Sequence, residues 1–169
     1  MDFVCIPEIR KKNLISDTKK IKELEDLINV KIRVENEVFI ESEDALAILR
    51  AKEVIKAFGR GFDFDTSLLL LDESYSLEII DISNYAKKSK DRMKELKGRI
   101  IGTKGKTKNI LEKLSESKIA VYGKTVSLIA KWDMIQDLSE AIHMILTGSK
   151  QGAAYYFLEE KIKNRFAKK

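Results

Sequence analysis

The residues best suited to chemistry lie between Lys97 and Ile110, in the stretch KGRIIGTKGKTKNI, where three glycines and five basic side chains share fourteen positions. A phosphate group calls for that mixture: main chain with no Cβ atoms in the way, and positive charge on flexible stems. Gly105-Lys106-Thr107 matches the end of the nucleotide-binding signature Gly, four residues, Gly-Lys-Ser/Thr. The start is missing. Ile100 stands where the first glycine belongs, and Gly98 and Gly102 are out of register. A second Gly-Lys-Thr, at 123 to 125, has Lys118 in the place of its first glycine. It also falls in a predicted hairpin turn, whereas a phosphate loop runs from a strand into a helix.

What remains is Gly102-Thr103-Lys104-Gly105, a Gly-x-x-Gly turn between a helical pattern ending at Ile101 and another beginning near Lys106. Alone such a motif is common; its setting gives it weight. The glycines admit a sugar-phosphate backbone, and the amides that open the second helix add donors and the positive end of a dipole. Lys104, Lys106 and Lys108 supply charge, and Arg99 more. A KH module clamps about four nucleotides of a single strand in this way. The bases would lie on an aliphatic groove lined by Ile101, Ile110 and Val121. Tyr122, Trp132, Tyr155 and Tyr156 are of a type that stacks on bases, but nothing in the sequence directs them into the groove, and they are expected in the core or at interfaces.

The charge distribution supports a polyanionic partner. The net charge of +5 is uneven: residues 1 to 70 hold 12 Lys/Arg against 14 Asp/Glu, and the remainder 20 against 13. Between Lys87 and Lys108 ten basic residues face only Asp91 and Glu95, so the positive field peaks around the glycine turn. Other chemistries find little support. One cysteine, Cys5, and one histidine, His143, exclude an intramolecular disulfide and make neither a four-ligand zinc site nor a Cys–His nucleophile pair credible. Cys5 is expected to be a small buried side chain and His143 to pack or face water. No carboxylate pair stands at a recognisable catalytic spacing, and no cofactor is implied. No apolar run approaches the length of a membrane span and no signal-peptide pattern opens the chain. A soluble, cytoplasmic protein is expected.

The elements that must position the turn occur twice. Ile21, Leu24, Leu27 and Ile28 form a helical stripe, Val30, Ile32 and Val34 alternate as a strand, and Val38 and Ile40 return after Glu-Asn-Glu. Leu46, Leu49, Val54, Ile55 and Phe58 mark a further helix closing near Gly59, where a left-handed residue fits. At an offset of 87 the order returns: Ile110, Leu111 and Leu114, then Ile119 and Val121, the turn Gly123-Lys124, the strand Val126, Leu128, Ala130, and a helix from Ile135 to Ile145. Each copy has an apolar stretch upstream, DFVCI and YSLEIIDI. The expected fold is α+β: two tandem βααββα units, each a three-stranded sheet covered by three helices. The first spans 1–66, a short connection 67–74, and the second 75–169. A terminal amphipathic helix follows Gly152, with Ala154, Leu158, Ile162 and Phe166 on one face and Lys161, Lys163, Arg165, Lys168 and Lys169 on the other.

The first copy lacks the turn. At the same offset, Ile15, Ser16, Asp17 and Thr18 replace Gly102 to Gly105. Both glycines are gone and an acid stands where a phosphate-facing lysine was, so this copy is not expected to clamp RNA there. Lys11, Lys12, Lys19 and Lys20 read as a solvated helix face.

With these residues in hand, the chain resembles the archaeal Dim-two, or partner-of-Nob-one, family of ribosome-assembly proteins, which carry two type I KH domains. The stretches AFGRGF, LEIIDI, KGRIIGTKGKTKNI, IAVYGKTVSLI and YYFLE carry the resemblance, which runs from about Val4 to Glu160. It implies a non-catalytic, single-stranded RNA-binding factor acting on the 3′ region of small-subunit (16S) ribosomal RNA. The implied partners are the Nob-one endonuclease and the alpha subunit of translation initiation factor two. It places the RNA on Gly102, Thr103, Lys104 and Gly105, flanked by Arg99, Ile101 and Lys106, with the first unit as a packing or protein-docking surface. Family members often carry Arg at the position of Thr103, and many keep a glycine loop in the first domain. A protein-interaction scaffold with little RNA binding, and a nucleotide-binding enzyme, stand as the alternatives.

Overall fold

The alternating apolar pattern and its turns resolve into two similar units in the computed structural model, which describes residues 1–168. The chain divides into Met1–Tyr75 and Ser76–Lys169.

The first unit opens with β1 (Asp2–Val4), α1 (Glu8–Ser16) and α2 (Thr18–Ile28), followed by the hairpin β2 (Lys31–Val34) and β3 (Val38–Glu41) and then α3 (Ala45–Gly59). A short α4 (Phe64–Ser67) and a 3-10 turn (Leu68–Leu71) end it. The sheet order is β1-β3-β2, antiparallel throughout, with Val4 opposite Val38 and Ile32 opposite Ile40. The period of two carries Val4, Ile32, Val38 and Ile40 to one face, where they are buried. Asp44 starts α3 by accepting the Leu46 N–H at 2.9 Å. α3 ends at Gly59, but the left-handed residue is Gly61, at φ +104°. Gly59 is there for closeness: a Cβ on it would lie 2.8 Å from the Cβ of Ile6. The segment 67–74, read as a connection, has Ser67 and Leu70 buried within this unit.

The second unit repeats the order. β4 (Tyr75–Asp81) and a one-turn α5 (Ser83–Ala86) precede α6 (Lys90–Ile101) and α7 (Lys106–Ser115), with a 3-10 turn (Thr103–Gly105) between those two helices. β5 (Lys118–Tyr122), β6 (Thr125–Lys131), α8 (Ile135–Leu146) and α9 (Gln151–Ala167) complete it. The sheet order β4-β6-β5 matches the first unit, and Gly123 at φ +55° makes the hairpin turn. Leu96 and Ile100 of α6, Leu111 of α7, Ile119, Val126 and Leu128 of the sheet, and Leu138, Ile142 and Ile145 of α8 share one core, which Ala154 and Leu158 of α9 join. The terminal helix is thus part of the second unit. Its apolar stripe leaves the core as it proceeds: Ile162 is half-buried and Phe166 is 73% exposed. Lys169 lies outside the described residues.

Several expectations fail in instructive ways. Leu27, Leu46 and Leu49 are exposed rather than buried, a normal fate for single apolar side chains on a helix. Lys11 is buried, its ammonium bonded to Glu8 and to the Asn36 carbonyl. Cys5 is exposed, and Trp132 at 71% exposure is no core residue. His143 sits in the last turn of α8, bonded through Nδ1 to the Tyr85 hydroxyl. No helix among the described residues is long and apolar enough to cross a membrane.

Candidate nucleic-acid interface

The site is built where α6 meets α7. Ser89 starts α6, its hydroxyl accepting the Arg92 N–H at 3.2 Å, and Leu96 and Ile100 anchor the helix in the core. The chain then reverses through three residues of positive φ: Gly102 at +75°, Lys104 at +52° and Gly105 at +74°. With ψ at 172°, Gly102 occupies a backbone region that essentially only glycine enters. It also has no room for a side chain, because a Cβ would lie 2.7 Å from the Thr107 nitrogen and 2.8 Å from its Cβ. At Gly105 the space is open, with the nearest atom, Nδ2 of Asn109, at 3.9 Å. The two glycines therefore serve different ends. The first lets the turn sit down on α7, and the second lets the main chain turn without a side chain in front of it.

The Gly105 N–H closes the turn on the Gly102 carbonyl at 3.1 Å. No side chain caps the start of α7: the Lys106 N–H goes to the Thr103 carbonyl, and the N–H groups after it, with the positive dipole end of a ten-residue helix, lie behind an exposed loop. Thr103, Lys104 and Lys106 are exposed around it. Ile101, Ile110 and Val121 are each half-buried, on α6, α7 and β5, while their neighbours Ile100 and Leu111 are fully buried. A groove that receives bases needs aliphatic surface of that intermediate kind. Chemically the arrangement offers an anion main-chain donors, two ammonium groups and an apolar ledge.

Two of the expected charges are turned elsewhere. The guanidinium of Arg99 donates to the Ile145 carbonyl at 2.8 Å and to that of Ser149, supplying partners for main-chain oxygens at and beyond the C-terminal end of α8. Lys108 pairs with Glu112 at 3.1 Å. Lys104 and Lys106 carry the exposed charge of the turn. Thr107 is likewise unavailable to a bound cation: it is 3% exposed, inside α7, and its Oγ1 accepts the Tyr155 hydroxyl at 3.0 Å. The turn also follows a helix rather than a strand, so the nucleotide-loop reading fails on both counts. The contact of Thr107 and Tyr155 was not legible in the sequence, where Tyr155 shows only as part of the YYFLE stretch.

In the first unit the corresponding helices are separated by a single residue, Asp17, at φ −119°. No residue between Glu8 and Ile28 has positive φ, and Asp17 pairs with Lys20 at 3.2 Å. There is no cradle at this junction.

Comparison with known proteins agrees with the geometry. Residues 76–163, more than half of the chain, match the family model for the second KH domain of PNO1, described as a eukaryotic type KH-domain (KH-domain type I). A KH domain-containing protein of Methanocaldococcus jannaschii is 33% identical over 168 residues, 95% of this chain and 74% of its own length. This chain belongs to the Dim2/PNO1 family. Its members are KH-domain, RNA-binding, pre-rRNA-processing factors of ribosome biogenesis, and not enzymes. The Aspergillus fumigatus pre-rRNA-processing protein pno1 is 32% identical over 73% of this chain, which spans about half (51%) of that protein. The fold matches, with a TM-score of 0.86 and 35% identity over 96% of this chain and 94% of the other, a chain in the crystal structure of an a/eIF2alpha–aDim2p–rRNA complex from Pyrococcus horikoshii. The tandem βααββα architecture read from the sequence is thus that of the Dim2/PNO1 proteins.

Proposed function

We propose that the second unit binds single-stranded RNA at the 3′ region of small-subunit (16S) ribosomal RNA, along the α6–α7 turn. The strand's phosphates meet Thr103, Lys104, Lys106 and the N–H groups that open α7, and its bases lie on Ile101, Ile110 and Val121. Arg99 and Lys108 act indirectly, one by fixing the end of α6 against α8 and the other by adding to the local field. One observation carries the reading. The turn combines an uncapped helix N-terminus, glycine-shaped main chain and exposed lysines on a single loop.

The first unit, whose junction has an acid and no glycine, serves as packing or protein-docking surface. The complex of a/eIF2alpha, aDim2p and rRNA supports the alpha subunit of translation initiation factor two as a partner of this chain. The family resemblance supports a place beside the Nob-one endonuclease.

The test is a binding titration with an RNA of the 16S 3′-terminal sequence against a scrambled RNA. Thr103→Asp with Lys104→Asp abolishes binding and leaves the unfolding transition unchanged, since both side chains are exposed. Undiminished affinity in that variant places the strand elsewhere. Binding of the initiation-factor subunit with no preference for RNA over a neutral polymer favours a scaffold instead.

A further inference from the structure

The two flanks of the glycine turn are held by one stretch of chain, 145–155, that precedes and opens α9. On the α6 side, Arg99 reaches the carbonyls of Ile145 and Ser149, and Gln151 Nε2 donates to the Arg99 carbonyl at 3.4 Å. On the α7 side, the Tyr155 hydroxyl donates to Thr107 Oγ1 at 3.0 Å. Thr107 is in turn the seat of Gly102: its main-chain nitrogen and Cβ come so close that no side chain fits between them. The sequence of contacts is Tyr155 to Thr107 to Gly102. Thr107 is 3% exposed and Tyr155 is half-buried, so the Thr107 end of this contact is sheltered from water and its hydroxyl oxygen has little access to a solvent donor in place of Tyr155.

We propose that Tyr155 is a positioning residue for RNA binding, and that α9, without touching the strand, holds the glycine turn in its RNA-receiving shape. The proposal rests on the α6–α7 turn being the RNA site. A loop with three residues of positive φ is costly to order, and a loop ordered before its ligand arrives spares binding that cost. Ala154 and Leu158, on either side of Tyr155, are fully buried in the core of the second unit, so the hydroxyl is presented from a rigid base.

The experiment uses the full chain. Tyr155→Phe removes one oxygen and keeps the ring in place. Affinity for the 16S 3′-terminal RNA falls about three- to tenfold, while the salt dependence of binding keeps its slope, because the phosphate contacts are the same in number. In the free protein, hydrogen exchange at the amides of Thr103 to Lys106 accelerates. Combining Tyr155→Phe with Thr107→Val adds little to the loss that Tyr155→Phe gives alone, because both substitutions remove the same contact. Ile142→Val weakens the same core away from the turn and changes neither affinity nor exchange. Unaltered exchange and affinity in Tyr155→Phe overturn the proposal while leaving the RNA site standing. Should the wild-type chain not bind RNA, the site itself is refuted, and exchange at the turn alone decides whether Tyr155 holds it.

Discussion

Glu25 and Glu112 stand 87 positions apart and make the same bond: each carboxylate accepts the main-chain N–H of the residue seven positions on, Ile32 at 2.7 Å and Ile119 at 3.1 Å. The helices that carry them end alike, on Asn29 at φ +53° and Glu116 at φ +50°. Carbonyls of the same two glutamates accept Val30 N–H and Ser117 N–H. β2 and β5 are edge strands, and a carboxylate laid on an outward N–H satisfies that donor and blunts the edge. The repeat thus preserves a joint between helix and strand where it has not preserved the glycine turn.

Because the bond is charge-assisted, Glu25→Ala and Glu112→Ala each lower the stability of their own unit by about 1–3 kcal/mol. Urea unfolding followed by circular dichroism measures the loss. Glutamine at either position retains an acceptor and falls between.

Cys5 answers to pH in a direction set by its neighbour. It is exposed, yet its thiol donates to Glu37, and a thiolate beside that carboxylate is disfavoured, so its pKa is raised. A raised thiol pKa means less thiolate at any pH below it. Alkylation by iodoacetamide at pH 8 is therefore slower than for a free cysteine in the unfolded chain, and Glu37→Gln speeds it. Equal rates in the two proteins contradict the bond.

Most of the architecture is legible in the sequence because it depends on periodicity. Alternation places Ile32, Val38 and Ile40 inside, and the helical stripes through Leu24 and Leu111 mark the buried faces of α2 and α7. The turn is legible because Gly102 and Gly105 are needed where φ is positive. Long side chains defeat the same reasoning. Arg99 and Lys108 count as positive field near the loop, but their stems carry the charge to Ile145 and Ser149 and to Glu112. Lys11 reads as solvated and is buried for the same reason. Short elements such as α5 are missed, since four residues carry too little periodicity to register.

If Lys104 and Lys106 hold phosphates, each alanine substitution flattens the slope of log affinity against log salt by about one and weakens binding to any RNA sequence alike. Lys12→Ala, on an exposed position of the first unit, leaves the slope unchanged. Glu112→Gln releases Lys108 from its pair and steepens it. Anisotropy titrations of a labelled RNA across a range of salt concentrations separate these outcomes.

The three glycines around the turn predict three different responses. Gly98 lies inside α6 with nothing within 4 Å of an added Cβ, so Gly98→Ala stabilises the helix by about 0.5–1 kcal/mol and leaves RNA binding as it was. Gly105 is left-handed in open space, where alanine costs about 1 kcal/mol and asparagine less. Gly102 is both left-handed and in collision with Thr107, so Gly102→Ala costs at least about 1–3 kcal/mol for the backbone alone and displaces the start of α7. RNA affinity, measured at a temperature where every variant is folded, should then fall for Gly102→Ala even though that position faces the protein rather than the strand. Full affinity in a folded Gly102→Ala protein would mean that the shape of the turn is irrelevant to what it binds.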